Sequence, residues 1–186
     1  MLLEFSIENF SSYKTIQTFS LQATAHKEKE FSLTNRVFWA RKNFGLIKTK
    51  AIFGGNASGK SNLIAAMSAF WKIINLNLQA DNTLNRHIIP FRLDKECVNK
   101  PSYFQIIVLI DNIQYRYGFE ADKNSIHSEW LYVKKKSEVP YFIREGQNIV
   151  SFNQLRFSEI KEVIGCLLYT SPSPRDATLS RMPSSA

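Results

Sequence analysis

The chain has 186 residues and a formal net charge of +8, and 44% of its residues are hydrophobic and 22% charged. These values are typical of an ordinary folded domain and exclude a disordered or collagen-like chain. No apolar run reaches the roughly 18 residues of a membrane-spanning helix, and the N-terminus lacks the basic lead of a secretory signal. Two cysteines are too few for a disulfide framework, so we expect a cytoplasmic protein without a membrane partner.

The N-terminal residues predict two strands joined by a tight loop. Residues 2–10 alternate between apolar and polar side chains, which places Leu3, Phe5 and Ile7 on one face. Residues 15–23 offer the second strand, and the intervening Ser-Ser-Tyr-Lys segment is expected to form the hairpin loop.

The middle of the chain predicts a buried strand, a glycine-rich loop and a helix in succession. Residues 44–53 end in the apolar run Ala-Ile-Phe and predict the strand, and residues 54–61 are the loop. Apolar residues then recur every three or four positions, which predicts an amphipathic helix of about four turns. These residues are Leu63, Ile64, Met67, Phe70, Trp71, Ile74 and Leu78. The polar residues 75–86 predict a loop.

The rest of the chain is rich in β-forming residues. Residues 103–110 and 113–119 predict two strands, and the Asp111-Asn112 pair between them predicts a hairpin turn. Two further strands and a final helix are predicted at residues 126–134, 139–144 and 158–164, respectively.

One motif carries chemistry. Residues 54–61 fit G-x-x-x-x-G-K-[ST], the phosphate-binding P-loop, in the strand–loop–helix context that the motif requires. Glycines let the backbone curl so that successive N–H groups face phosphate oxygens, and the following helix adds its N-terminal amides. The predicted nucleotide-binding residues are Gly54, Gly55, Asn56, Ala57, Ser58, Gly59, Lys60, Ser61 and Asn62.

Two side chains of the loop have defined chemical roles in this prediction. Lys60 supplies a cation for the β- and γ-phosphates, and it is the predicted catalytic residue because it stabilises the transferring phosphoryl group electrostatically. The Ser61 hydroxyl is the predicted Mg²⁺ ligand. ATP and Mg²⁺ are therefore the expected cofactors.

The wider pattern resembles known ATPases. The loop in its G-x-N-A-S-G-K-S-N form, with Asn56 and Asn62, resembles the ABC-type ATPase heads of the SMC and RecF proteins. Residues 7–13 resemble the NF-x-S-[FY] segment that opens those heads. Other segments resemble the bacterial AAA-labelled ATPases that are related to the overcoming-lysogenization-defect proteins and often lie in phage-defence or restriction loci. These segments are residues 90–94, 115–120 and 128–132.

The resemblance implies the N-terminal lobe of an ABC-type head, which is an α/β P-loop NTPase fold with an antiparallel β subdomain, incomplete in this chain. The parent protein would hydrolyse ATP, form a homodimer around two nucleotides and couple hydrolysis to a conformational change on DNA or on an operon-encoded effector. The Walker B acids, signature motif and switch histidine of such heads are expected to follow later in the parent. We therefore expect this chain to bind ATP and to hydrolyse little of it.

The last 21 residues differ from the rest in composition. Residues 166–186 show no periodicity and contain Pro172, Pro174 and Pro183, and their back-translation resembles a sequencing-library adapter. We therefore expect residues 1–165 to be the N-terminal part of an AAA/ABC-type ATPase domain and residues 166–186 to be a non-native, disordered tail.

Two alternative functions stay open at this point. Asp111 ends a hydrophobic run, as a Walker B aspartate would, which would make the chain a compact NTPase. The strict alternation after Asp111 favours a hairpin turn instead. Lys134–Lys136 lie beside aromatic residues, which fits a non-catalytic, nucleotide-dependent DNA- or protein-binding module, although a solvated strand end more commonly explains such a run.

A few single residues are weaker candidates. Gln105 and Gln114 are expected on strands rather than at a γ-phosphate, and Cys97 is expected to be an inert thiol. The histidines lack the spacing of metal ligands or of a catalytic triad. They are His26, His87 and His127.

Overall fold

The structure is a computed structural model, and it describes residues 1–23, 37–41, 44–75, 83–146 and 148–152. In chain order its elements are β1 (Leu2–Glu8), β2 (Gln17–Ser20), β3 (Val37–Arg41), β4 (Phe44–Ile47), α1 (Lys60–Asn75), α2 (Thr83–His87), α3 (Lys95–Val98), β5 (Ser102–Ile110), β6 (Ile113–Ala121), β7 (Ile126–Lys134), β8 (Glu138–Glu145) and β9 (Asn148–Phe152). The predicted helix at 158–164, the expected tail at 166–186, Leu78 and His26 lie outside the described residues.

The strands form one seven-stranded sheet and one separate two-stranded ribbon. The sheet has the order β2-β1-β5-β6-β7-β8-β9, and the ribbon pairs β3 with β4. Every pairing is antiparallel. Short connections favour this direction for the pairs of successive strands, whereas β1 and β5 are joined by a long connection that contains three strands and three helices. The described part therefore contains the predicted antiparallel β subdomain, and the parallel strands of a complete α/β P-loop sheet are not among its elements.

A β-bulge at the start of β1 divides its apolar residues between the two faces of the sheet. The register of the β1–β5 pair shifts around Leu3, which is the extra residue. Leu3 packs with Leu46 and Leu109, whereas Phe5 and Ile7 join the main core. The prediction of one shared face is therefore wrong for Leu3, because an inserted residue reverses the alternation.

α1 covers one face of the sheet and closes the main core. The Phe70 ring stacks on the Phe119 ring with centroids 5.6 Å apart and meets Phe5 edge-on at 5.8 Å. Ile64 and Trp71 were expected on the same apolar face, but each is 65% exposed. The reason is that the predicted apolar residues span a wider arc of the helix than the sheet can cover. The buried residues of α1 are Ala66, Ala69, Phe70, Ile73 and Ile74.

The opposite face of the sheet is partly covered by the β3–β4 ribbon and partly open. On the open part, Trp130 stacks on Tyr103 with ring centroids 5.5 Å apart. The Arg116 guanidinium lies 4.1 Å from the centre of the Tyr132 ring. These aromatic and cationic side chains keep an antiparallel sheet face stable while half exposed.

The predicted buried strand over residues 44–53 is only partly correct. β4 ends at Ile47, whose N–H donates to the Leu21 carbonyl at 2.8 Å. Residues 51–53 form no strand, and Ile52 is 45% and Phe53 91% exposed. A strand before a P-loop is buried only when strands on both sides pair with its backbone. The described residues supply no such neighbours.

The predicted hairpin at Asp111-Asn112 is confirmed. β5 and β6 pair along their whole length, and the two turn residues have φ angles of 49° and 61°, as a type I′ turn requires. The strands predicted at 126–134 and 139–144 correspond to β7 and β8. The predicted loop at 75–86 contains the start of α2, and β9 was not anticipated.

We find no helix in the described ranges that combines the length and apolarity needed to cross a bilayer.

Candidate phosphate-binding site

The P-loop motif leads directly into the first turn of α1. Gly59 has a φ angle of +92°, a conformation that side chains with a Cβ rarely adopt. Its carbonyl accepts from the backbone N–H groups of Asn62 at 2.9 Å and Leu63 at 3.2 Å, which starts the helix. The glycine therefore lets the chain turn sharply into α1 and leaves the first helical N–H groups without intrahelical acceptors.

The left-handed backbone positions of the loop differ from those expected from the glycine pattern. Ala57 has a φ angle of 61°, although it carries a Cβ. Gly55 has open space around its Cα and no positive φ. Gly54 has no positive φ either, so of the three glycines expected to curl the loop only Gly59 adopts the left-handed conformation, and the other left-handed position of the loop is Ala57.

The Lys60 ammonium lies at the mouth of the loop. Its Nζ donates to the carbonyl oxygens of Gly54 at 2.8 Å and Gly55 at 2.6 Å, and it contacts Ser58 Oγ at 3.1 Å. The side chain therefore folds back over the loop, where its charge is close to the backbone that a phosphate would contact. A phosphate bound there would accept hydrogen bonds from the same ammonium.

Most of the predicted binding residues lie together around one open cavity, whereas Gly54 and Gly55 do not line it and contact Lys60 through their carbonyl oxygens. This cavity has a volume of about 500 Å³ and is lined by residues 56–62. The combination of a curled backbone, a helix N-terminus and one lysine fits a polyphosphate chemically. For Mg²⁺, the only predicted ligand that the loop presents is the exposed Ser61 hydroxyl, and no cluster of three or more His, Cys, Asp or Glu residues occurs in the described part.

Two residues that sequence reasoning did not assign to the site hold the end of the loop. The Tyr13 hydroxyl donates to the Gly59 carbonyl at 2.9 Å. The Asn62 side-chain amide donates to Ser12 Oγ at 2.9 Å. The local pattern of the Ser-Ser-Tyr segment predicts a hairpin loop, and nothing in it predicts a contact with residues about 50 positions further along the chain.

Asn9 connects the turn after β1 to the segment before β5. Its side chain is buried, and its Nδ2 contacts the carbonyl oxygens of Cys97 at 2.8 Å and Lys100 at 2.9 Å. Its Oδ1 accepts from the Phe91 N–H at 3.1 Å, and its own carbonyl accepts from the Ser102 hydroxyl. The asparagine that carries the N-terminal resemblance therefore has a structural role beside the site.

The structure does not bring Asp111 to the P-loop. The Leu109 N–H donates to the Met1 carbonyl at 2.8 Å, so the β5–β6 turn lies at the first end of β1. The turn that contacts Gly59 follows the other end. β1 has seven residues, which separates its ends by roughly 20 Å. The alternative in which Asp111 is the Walker B aspartate is therefore wrong, because a metal at Ser61 needs its carboxylates within the same coordination shell.

The remaining candidates have structural surroundings. Burial, followed by nearby positive charges, lowers the pKa of His87, and His127 Nε2 lies 2.9 Å from an Asp122 oxygen. Cys97 is a buried free cysteine. Gln105 lies on β5, where it accepts from the Trp130 indole at 3.3 Å; Gln114 also lies on a strand, as predicted.

Lys134–Lys136 are exposed and lie at the turn between β7 and β8. Lys134 is directly opposite Glu138 in the strand register. The same glutamate binds Arg116 at 2.7 Å. An acidic side chain therefore offsets part of the positive charge at this turn.

Comparison with known proteins identifies a family that matches this chain. The family described as "AAA domain, putative AbiEii toxin, Type IV TA system" matches residues 51–159, which is more than half of the chain and includes the whole P-loop. No curated protein matches the chain. AAA domains of this kind are P-loop ATPases, which bind ATP and Mg²⁺. The chain therefore belongs to this AAA domain family.

Proposed function

We propose that this chain binds ATP with Mg²⁺ through the loop formed by residues 54–62. The observation that carries the proposal is the position of the Lys60 ammonium, 2.6–2.8 Å from two carbonyl oxygens of a loop that opens into the N-terminus of α1. Backbone N–H groups would bind the phosphate oxygens, and Lys60 would supply the positive charge. Ser61 would hold the Mg²⁺ that neutralises the phosphates.

The proposal is tested by measuring ATP–Mg²⁺ binding to the full chain by calorimetry. Lys60→Ala removes charge-assisted hydrogen bonds to phosphate, so we expect affinity to fall by about tenfold or more. Lys72→Ala is the matched control, since Lys72 is an exposed lysine in the last turn of the same helix and should bind ATP like the wild type. Equal affinities for the Lys60→Ala and Lys72→Ala proteins would refute the proposal.

We further propose that the parent protein is an ABC-type ATPase head related to SMC and RecF proteins, with hydrolysis residues supplied after this segment. The form of the loop and the antiparallel sheet beside α1 support this proposal. In such a protein, ATP would drive homodimerisation and a conformational change that acts on DNA or on an effector encoded in the same operon, in phage defence. Sedimentation of the complete parent with and without ATP tests the dimer, and an ATP-independent monomer would argue against it.

The division of the chain into residues 1–165 and 166–186 is part of the same proposal. It is supported by the change in composition at Cys166 and by the resemblance of the tail to adapter sequence. Resequencing the source locus across codon 165 tests the division. A frame that continues into a hydrophobic strand ending in Asp-Glu is expected, and a genome that encodes the tail would refute the division.

A further inference from the structure

We propose that Tyr13 is a positioning residue for phosphate binding, because its hydroxyl orients the peptide unit between Gly59 and Lys60. The inference rests on the proposed ATP site and adds the element that holds that site in shape. The observation is the hydrogen bond of 2.9 Å from the Tyr13 hydroxyl to the Gly59 carbonyl.

The geometry of a peptide bond links this contact to the phosphate-binding side of the loop. A trans peptide is planar, and its C=O and N–H groups point in opposite directions. The peptide unit whose carbonyl faces Tyr13 ends in the N–H of Lys60. That N–H therefore points away from the tyrosine, and fixing the carbonyl also fixes the direction of an amide at the start of α1.

The tyrosine can act as a donor over a wide pH range. A tyrosine hydroxyl is protonated at neutral pH, and burial raises the pKa of Tyr13 further from its ordinary value. Its ring packs against the main core, which limits the positions that the hydroxyl can take.

A second contact holds the same turn of the chain against the loop. Asn62 Nδ2 donates to Ser12 Oγ at 2.9 Å. A Cβ placed on Gly59 would lie 3.0 Å from that Ser12 oxygen and 3.6 Å from the Tyr13 hydroxyl oxygen. The two segments are therefore in close contact at Gly59, where a Cβ would crowd the Ser12 hydroxyl and would touch the Tyr13 hydroxyl at an ordinary contact distance.

The turn that carries Ser12 and Tyr13 is itself well fixed. Phe10 and Tyr13 exchange two backbone hydrogen bonds of 2.9 and 2.8 Å. The Ser11 N–H donates to the Ile89 carbonyl at 2.7 Å. The Lys14 ammonium lies 2.8 Å from an Asp94 oxygen. A rigid support of this kind is what a flexible glycine-rich loop needs to hold its amides in one direction.

The other side of the loop has no comparable support in the described ranges. Residues 51–58 are all exposed, and residues 51–53 pair with no strand among the elements described. Apart from α1, which continues from the loop, the turn after β1 is therefore the described element that connects the P-loop to the sheet.

The inference is tested by Tyr13→Phe, which keeps the ring and removes the hydroxyl. The variant loses one hydrogen bond that positions the loop, so we expect a three- to tenfold weaker affinity for ATP–Mg²⁺. This change corresponds to roughly the net free energy of a single hydrogen bond. Tyr115→Phe makes the same chemical change on β6, where Tyr115 lines an apolar groove, and should leave the affinity unchanged. Equal affinities for the two variants in a protein that binds ATP would overturn the inference and leave the proposed function intact.

A second measurement does not require nucleotide. ¹⁵N relaxation of the Lys60 and Ser61 amides reports the order of the loop on the ps–ns timescale. Tyr13→Phe is expected to lower the order parameters of these two amides relative to wild type, and Tyr115→Phe is not. A merely structural tyrosine would lower the melting temperature without a selective effect on these amides, and that result would overturn the inference. If the wild type itself does not bind ATP, the proposed function is refuted instead.

Discussion

At the scale of single residues, the loop keeps one alanine in a backbone conformation that favours glycine. Ala57 has a φ angle of 61° and is exposed, so no packing interaction of its methyl group offsets the strain. A left-handed residue with a Cβ is less stable than glycine there by about 1–2 kcal/mol. The sequence motif allows any residue at this position, and it therefore does not reveal where the strain lies.

We predict that Ala57→Gly stabilises the chain by up to about 1 kcal/mol, because relief of strain exceeds the additional entropy of an unfolded glycine. Urea denaturation measures the difference. Ala65→Gly is the matched control, since Ala65 is an exposed residue within α1, where glycine costs about 1 kcal/mol. Changes of the same sign in the two variants would contradict the prediction.

At the scale of elements, the open face of the sheet depends on a glycine beneath an indole ring. Gly118 on β6 lies opposite Trp130 on β7 in the register. A Cβ on Gly118 would lie 2.6 Å from the Trp130 ring and 2.7 Å from the Phe104 carbonyl oxygen. The Trp130 ring therefore leaves no space for a side chain at position 118.

Gly118→Ala is expected to destabilise the chain by about 1–3 kcal/mol, because the added methyl group must displace the indole and the backbone. The Trp130 fluorescence spectrum should change in the same variant. Gly55→Ala, which adds a methyl group where no atom lies within 4 Å, should alter stability by less than about 0.5 kcal/mol. Equal stabilities of the two variants would show that β6 and β7 adapt to the added methyl group.

The ion pair between Lys14 and Asp94 joins the turn after β1 to the N-terminus of α3. The hydrogen bond from Lys14, together with the backbone N–H of Glu96, lowers the pKa of Asp94. The hydrogen bond with Asp94 raises the pKa of Lys14. A carboxyl group whose pKa is lowered on folding stabilises the fold above its unfolded pKa, and this contribution is lost as the pH falls through the folded pKa. A lysine whose pKa is raised on folding stabilises the fold below its unfolded pKa, and this contribution is lost as the pH rises through the folded pKa. The pair therefore contributes between about pH 4 and pH 10.

We predict that the stability difference between wild type and Asp94→Asn is constant above about pH 5 and disappears as the pH falls below the usual Asp range. Asparagine keeps the N-cap hydrogen bond of α3, so the difference reports the ion pair. Denaturation of wild type, Asp94→Asn, Lys14→Gln and the double variant between pH 3 and pH 7 measures the difference. A difference that grows at low pH would contradict the prediction.

At the scale of the whole molecule, α1 has one side in the core and one side exposed. Phe70 is 4% exposed, whereas its neighbour Trp71 is 65% exposed. The same helix supports the P-loop at its first residue and the main core along its length. Loss of core packing at Phe70 is therefore expected to reach the site through the helix itself.

Phe70→Ala is expected to cost about 3–5 kcal/mol, because it leaves a cavity between rings that are stacked in the core. Trp71→Ala should cost less than about 1 kcal/mol, since most of the indole already contacts solvent. Thermal and urea denaturation of the two variants give the comparison. A larger effect at Trp71 than at Phe70 would contradict the orientation of α1.

The sequence by itself determined the local features of this protein. Hydrophobic periodicity predicted α1, alternation predicted the strands of the meander, and the Asp111-Asn112 pair predicted its hairpin, because each signal is contained in neighbouring residues. The P-loop was recognisable for the same reason. Only the tertiary structure decided that Leu3 changes faces at a bulge, that Phe53 is exposed, and that Tyr13 contacts the P-loop, because these features depend on which distant segments pair and pack.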